Sequence, residues 1–287
     1  MGSNTLRVVE IDCVTKERVR EYEKAVKTAE NLYSTRLISK GAQSRILSAL
    51  EEADKIFDFK NRRVFAVTTE AMRLAKNAKN VLKSIKDRFG IEFKIIDGEL
   101  EAELTKVGVL NALSRLGFEL KSYVLFDLGG GSLELSFVNG SKSRTKSFPI
   151  GILKMTQKYD SLVDIERKIT EELRVLDEFI DGQSANFLVT TAGTPTTVCA
   201  FLQGMDYESY DYRKINGKKL STEDFDKAMK KLLEMKKEQR EFWVGTNRGD
   251  VVCVGIVIVK SVMKKLGYST CIVCDDGLRE GLAITNL

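Results

Sequence analysis

Asp127 and Glu134 bracket a run of three glycines and a serine, Gly129-Gly130-Gly131-Ser132. Consecutive glycines let a backbone bend sharply and let a ligand approach it without side chains in the way. The N–H groups of such a turn form an anion-binding concavity. Carboxylates on either side suit a hard divalent cation pressed against a bound phosphate, with Mg²⁺ expected and Mn²⁺ as the alternative ion. Two further glycine turns carry hydroxyls: Gly2-Ser3-Asn4 near the start and Ala192-Gly193-Thr194-Pro195-Thr196-Thr197 after an apolar run. The latter reads either as a capped helix start or as an oxyanion site, because helix N-termini offer free N–H groups. Arg73, in Thr69-Glu70-Ala71-Met72-Arg73, has the fork that binds phosphate through two bonds. Glu99, Glu101 and Glu103 either orient or deprotonate a water, or complement a helix dipole.

Composition removes several chemistries. The chain contains no histidine, which excludes a Ser-His-Asp triad, a Cys-His pair and histidine metal sites. Acid–base work near neutral pH then falls to carboxylates, lysine, tyrosine or metal-bound water. Five irregularly spaced cysteines argue against a disulfide scaffold, and Cys271-Ile272-Val273-Cys274 reads as a buried strand rather than a redox motif. A net charge of +5, spread over amphipathic segments, is too mild to point to nucleic acid. No apolar run approaches the length of a membrane helix and no secretory signal is evident, so a cytoplasmic location is expected.

These groups must be positioned by an α/β framework. Ile46, Leu50, Ala53 and Phe57 share one helical face, and Leu162, Ile165, Ile169, Leu173, Leu176 and Ile180 make a longer stripe. Ser221-Thr222-Glu223-Asp224 opens a helix with a capping box. The segment from Val251 to Leu266 is apolar over most of its surface and belongs at the centre. Strand-like runs at 64–67, 93–96, 123–127, 133–138, 187–191 and 271–274 interleave with helices, which predicts mixed sheets. The turns at Gly2 and Gly130 each lead into an alternating strand, a weak internal echo. It predicts two halves, 1–120 and 121–287, facing each other across a cleft.

Read jointly, the motifs resemble the exopolyphosphatase / guanosine pentaphosphate phosphatase (Ppx/GppA) family. They are Gly2-Ser3-Asn4-Thr5-x-Arg7, Thr69-x-Ala71-x-Arg73, Gly98-x-x-Glu101-Ala102, Asp127-x-Gly129-Gly130-Gly131-Ser132-x-Glu134, Phe148-Pro149-Ile150-Gly151, Gly193-Thr194-x-Thr196, Arg248-x-Asp250 and Gly277-Leu278-Arg279-Glu280-Gly281. The resemblance covers essentially the whole chain. It implies two ribonuclease-H-like domains of the actin, Hsp70 and sugar-kinase superfold, with phosphate and Mg²⁺ bound between them. It implies hydrolysis of a terminal phosphoanhydride in polyphosphate or in guanosine pentaphosphate. By position, Glu101 matches the water-activating glutamate, and Asp127 and Glu134 the metal-side carboxylates. Arg73, Arg7, Gly2, Ser3, Asn4, Gly129 to Ser132, Gly193 and Thr194 match the phosphate cradle. The implied partners are polyphosphate or guanosine penta- or tetraphosphate, with a homodimer as the oligomer to test and neither membrane nor nucleic acid expected.

The sequence also departs from the resembled pattern. An Asp-bearing strand usually precedes the Gly-Ser-Asn turn, whereas this sequence starts at Met1-Gly2. The expectation is either an upstream segment outside this sequence or weakened catalysis. Ala192 stands where a glycine is common. Leu100 separates Glu99 from Glu101 where adjacent acids are frequent, so either is the candidate base. Longer relatives add a helical C-terminal domain, and this chain reads as the short two-domain form. The alternatives are a non-catalytic regulator binding guanosine tetraphosphate or polyphosphate and, more remotely, a kinase of the same superfold.

Overall fold

The structure is a computed structural model that describes residues 1–246 and 248–286. Two compact units divide it: Met1–Gly108 with the residues from Leu278 onward, and Val109–Gly277. The division falls inside a helix at 108/109 rather than at the expected residue 120, and the last helix returns to the first unit.

In the first unit, β1 (Thr5–Ile11) and β2 (Arg18–Ala25) form an antiparallel hairpin. α1 (Leu32–Thr35) and α2 (Lys40–Phe57) follow, and α2 buries the face carrying Ile46, Leu50, Ala53 and Phe57. β3 (Ala66–Thr68) leads into α3 (Glu70–Leu74) and α4 (Ala78–Phe89). β4 (Phe93–Ile95) pairs with β3 in parallel and feeds α5 (Gly98–Arg115). The unit is completed by α13 (Leu278–Thr285), which follows the second unit in sequence but packs in the first. A Cβ on Gly281 would lie 1.7 Å from the Leu104 carbonyl oxygen, so only glycine lets α13 approach α5 this closely. Arg18 on β2 meets Glu280 on α13 at 2.9 Å, with side chains 2% and 1% exposed, and Arg279 bridges Glu280 (2.6 Å) and Glu21 (3.0 Å). The Gly277-to-Gly281 motif thus serves packing.

The second unit is built on one six-stranded sheet of order β7-β6-β5-β8-β10-β9. Its strands are β5 (Ser122–Leu128), β6 (Leu133–Asn139), β7 (Lys142–Phe148), β8 (Phe187–Thr191), β9 (Lys218–Ser221) and β10 (Thr270–Val273). β5, β8 and β10 run parallel; β6, β7 and β9 are antiparallel to their neighbours. Leaving out edge strand β9, the order is that of a ribonuclease-H-like half, so the expected α/β class with a mixed sheet is found. The pleat sends alternate residues to opposite faces. Val124, Phe126, Leu128, Leu133, Leu135 and Phe137 join the larger core. Tyr123, Leu125 and Val138 pack with Val109, Ala112 and Leu113 of α5.

The helices of this unit are α6 (Ile152–Lys158), α7 (Leu162–Glu172), α8 (Asp177–Ile180), α9 (Gly193–Leu202), α10 (Thr222–Glu234), α11 (Lys237–Val244) and α12 (Gly249–Leu266). The Ser221–Asp224 capping box opens α10, and α12 is buried along most of its length. The 162–180 stripe is not one helix: α7 tightens into a 3₁₀ turn at Leu173–Leu176 before α8. Ile165, Ile169, Leu173 and Leu176 are still buried, because the tighter turn keeps them facing inward.

Candidate functional site

In the first unit the structure brings Arg73 and Glu101 together. β3 ends at Thr68, α3 starts at once, and its last turn carries Arg73. Arg73 Nη1 donates to the Ile96 carbonyl (2.5 Å) and to Glu101 Oε2 (3.2 Å). Asp97 caps α5 by accepting from the Leu100 N–H at 2.8 Å, which puts Glu101 in the first turn. The guanidinium has five donors in a fixed fork. Nε and Nη2 reach no acceptor among the described residues and stay available to a ligand. Glu99 is exposed and Glu103 pairs with Lys106 at 2.5 Å, so of the three glutamates Glu101 is the one beside the arginine.

The Gly2–Ser3–Asn4 turn lies in the same unit. The Gly2 N–H donates to the Thr5 carbonyl (3.0 Å), the Ser3 carbonyl accepts from Ala29, and the Asn4 carbonyl accepts from Val26 and Lys27. Its carbonyls are therefore tied to the β2–α1 connection. The Met1 nitrogen donates to the Val67 carbonyl at 2.8 Å, setting the turn beside β3. Arg7 is engaged by Glu23, its cross-strand partner, at 2.7 Å. Two residues not singled out in the sequence join the turn. Tyr33 accepts from the Ser3 hydroxyl and donates to Glu70 Oε2 at 2.8 Å. Burial, the Glu70 charge and that bond push the phenol well above its ordinary range, so it stays protonated as a donor.

In the second unit, strand register sets the geometry. Asp127 is paired with Glu134, Glu134 with Ser147 and Asp127 with Thr191. Directly opposed residues project to one face with Cβ atoms about 5 Å apart. These four side chains thus form a polar row across β7, β6, β5 and β8. Ser147 Oγ donates to Glu134 Oε1 at 2.7 Å, and Thr145 Oγ1 donates to Ser136 Oγ at 2.9 Å behind it. Glu134 is 3% exposed. Thr191 donates to the Asp276 carbonyl (3.1 Å), and Asn216 ties Asp276 and Asp275 in place.

The glycine turn is held from behind by α6. Ile152 N–H donates to the Gly129 carbonyl (3.1 Å) and Leu153 N–H to the Gly130 carbonyl (2.7 Å), which satisfies first-turn N–H groups of α6. The Gly129 N–H closes the turn on the Ser132 carbonyl (2.9 Å). The N–H groups of Gly130 and Gly131 have no acceptor among the described residues. A Cβ on Gly151 would sit 2.3 Å from the Gly131 carbonyl carbon, which explains the glycine of the Phe148-to-Gly151 motif. In the third turn, Gly193 and Thr194 open α9 with no side-chain cap. Ala192 there has φ +75° and ψ 179°, a conformation that belongs to glycine.

Among the described residues, no group of three or more Cys, Asp or Glu is arranged to hold a metal ion by itself. The Asp127–Glu134 pair still fits Mg²⁺, which is commonly bound through one or two carboxylates while substrate phosphates and water complete its shell. A groove of about 670 Å³ over α12, lined by Glu166, Asp226, Lys260 and Lys264 among others, includes none of the expected site residues. No described helix is long and apolar enough to cross a membrane.

The sequence profile of the Ppx/GppA phosphatase family matches residues 7–287. Exopolyphosphatase 2 of Mycobacterium tuberculosis is 24% identical, over 93% of this chain and 88% of that protein. Exopolyphosphatase 1 of Mycobacterium leprae is also 24% identical, over 100% and 88%. Among solved structures, an exopolyphosphatase from Cytophaga hutchinsonii superposes with a TM-score of 0.87 at 26% identity, covering 100% of this chain and 95% of that one. The Aquifex aeolicus member of the Ppx/GppA family gives 0.78 at 27%, covering 100% and 95%.

Proposed function

We propose that this chain, which belongs to the Ppx/GppA phosphatase family, hydrolyses the terminal phosphoanhydride of inorganic polyphosphate. The observation that carries the reading is the pairing of Glu101 with an arginine whose other donors are open. Phosphoryl transfer asks for a positioned phosphate, neutralised charge and an oriented nucleophile. Nε and Nη2 of Arg73 hold oxygens of the terminal phosphate. Within the second unit the N–H groups of Gly130, Gly131, Gly193 and Thr194 are suited to phosphate oxygens, as is the Gly2–Ser3–Asn4 turn within the first. Glu101 accepts the proton of the attacking water, and its bond to Arg73 fixes the carboxylate beside the phosphate that the arginine grips. Mg²⁺ on Asp127 and Glu134 would offset the charge of the phosphate chain. The names of the relatives favour polyphosphate. Guanosine pentaphosphate presents the same terminal bond and is the second substrate to measure.

The test is orthophosphate release from long-chain polyphosphate and from guanosine pentaphosphate with Mg²⁺, for the wild type and Glu101→Gln. A general base contributes about 10²- to 10⁴-fold, so kcat should fall by that much while KM changes little. Equal rates in the two proteins would reject Glu101 as the base. No release by either protein would reject the hydrolase reading.

A further inference from the structure

We infer that Tyr33 is a positioning residue for phosphate binding: its hydroxyl, shared between Ser3 and Glu70, fixes the Gly2–Ser3–Asn4 turn relative to the helix that carries Arg73. The inference rests on the hydrolase reading above and adds a residue to it. Three observations within the first unit carry it. Tyr33, on α1, accepts from the Ser3 hydroxyl and donates to Glu70 Oε2 at 2.8 Å, and both Ser3 and Glu70 are buried. Glu70 is the first residue of α3 and Arg73 follows three positions later, so the two side chains leave neighbouring parts of one helix surface. The turn itself has spent its carbonyls on Ala29, Val26 and Lys27, whereas the N–H groups of Ser3 and Asn4 reach no acceptor among the described residues.

Backbone N–H groups bind an anion only while the turn keeps its peptide planes in one orientation. A turn that opens on glycine has conformational freedom to lose, and ordering it costs entropy that the ligand would otherwise have to supply. Tyr33 removes part of that freedom beforehand. A phenol has one proton. That proton goes to Glu70, so toward Ser3 the oxygen can only accept, and the chain of donors runs one way, from turn to carboxylate. Burial and the Glu70 charge keep the phenol protonated, which preserves that direction. The serine proton is committed to Tyr33, so the turn offers backbone N–H groups rather than the hydroxyl. The same oxygen that orders the turn also grips the start of α3. Two sets of phosphate donors, the turn and Arg73, are thereby aligned before substrate arrives.

The measurement pairs calorimetric titration of the full chain with a methylene-bridged triphosphate, which cannot be hydrolysed, and steady-state orthophosphate release from long-chain polyphosphate. The proteins are the wild type, Tyr33→Phe, Ser3→Ala and the double variant, with circular dichroism melts to confirm folding. Tyr33→Phe keeps the ring and removes the oxygen. It should weaken analogue binding about 10-fold, the worth of one such hydrogen bond, and raise KM by a similar factor while kcat stays within a few-fold. Ser3→Ala should do the same, and the double variant should bind no more weakly than either single one, because both cut one link. Wild-type affinity in Tyr33→Phe overturns the inference, as do losses that add in the double variant. A fall in kcat with KM and affinity unchanged marks a smaller folded fraction and overturns positioning in favour of packing. Should Tyr33→Phe fail to fold, Ser3→Ala cuts the same link from the turn, and wild-type affinity there overturns the inference. No orthophosphate release by the wild type rejects the hydrolase reading, while the analogue titration still decides the role of Tyr33. No binding of the analogue by the wild type removes the phosphate site and this inference with it.

Discussion

The two units are fastened in different ways. The second is a continuous stretch of chain organised on one six-stranded sheet whose two faces are covered by apolar clusters. The first has its strands in two separate pairs and is closed by a helix from the other end of the sequence, held through charge: Arg18 with Glu280, and Arg279 with Glu280 and Glu21. Their chemical groups differ in the same sense. Glu101 lies against a cation, Arg73, whereas Asp127 and Glu134 oppose each other and Glu134 is held by a neutral hydroxyl. Ion pairs close the scaffold of the first unit, whereas strand register sets the polar row of the second.

Four substitutions press on this contrast, and the lone Trp243 makes them separable, since it lies on α11 and reports only on the second unit. The largest effect is expected for Glu280→Ala. Removing one partner of a buried ion pair costs about 3–5 kcal/mol. The far-UV circular dichroism transition should split, with an early phase absent from Trp243 fluorescence; a single shifted transition in both signals would erase the distinction between the units. Gly151→Ala forces a methyl into the Gly131 backbone and should cost about 1–3 kcal/mol. Here the fluorescence transition itself moves, and orthophosphate release falls as the glycine turn is displaced. Ala192→Gly works in the opposite direction. Relief of the backbone strain at φ +75° should raise urea stability in the second unit by about 1 kcal/mol; no gain would mean that α9 tolerates alanine there without strain. The smallest change is Asp127→Asn, which keeps the size of a part-exposed side chain and should leave urea stability within about 0.5 kcal/mol while orthophosphate release is lost. Destabilisation instead would show that the carboxylate pair is structural.

The central strands were legible because β5, β8 and β10 carry apolar runs and β6 alternates apolar with polar residues: all four lie within a residue or two of their expected bounds. β2, β7 and β9 were not read. They sit at sheet edges or in a lone hairpin, and sequences such as Lys142-Ser143-Arg144-Thr145-Lys146 carry the polar residues that an exposed edge permits. The glycine turns and their flanking acids were visible as motifs. Ser147, Tyr33 and Glu70 were not, because each gains its role from a partner chosen by strand register or tertiary packing: Glu134 for Ser147, Ser3 and Glu70 for Tyr33. The arginine and glutamate after Gly277 were visible too, as one of the motifs. What the sequence lacked was their partner, Arg18, at the opposite end of the chain.

That pairing bears on how the protein is made. A ribosome delivers β1 and β2 before the second unit and α13 after it, so the hairpin must wait through synthesis of that whole unit for the helix that neutralises Arg18. The second unit needs no such late arrival and can be complete while the first is still open. Vectorial folding usually finishes the N-terminal part first. In this chain the order is reversed, because the unit whose hairpin is made before the second unit is closed only by a helix made after it.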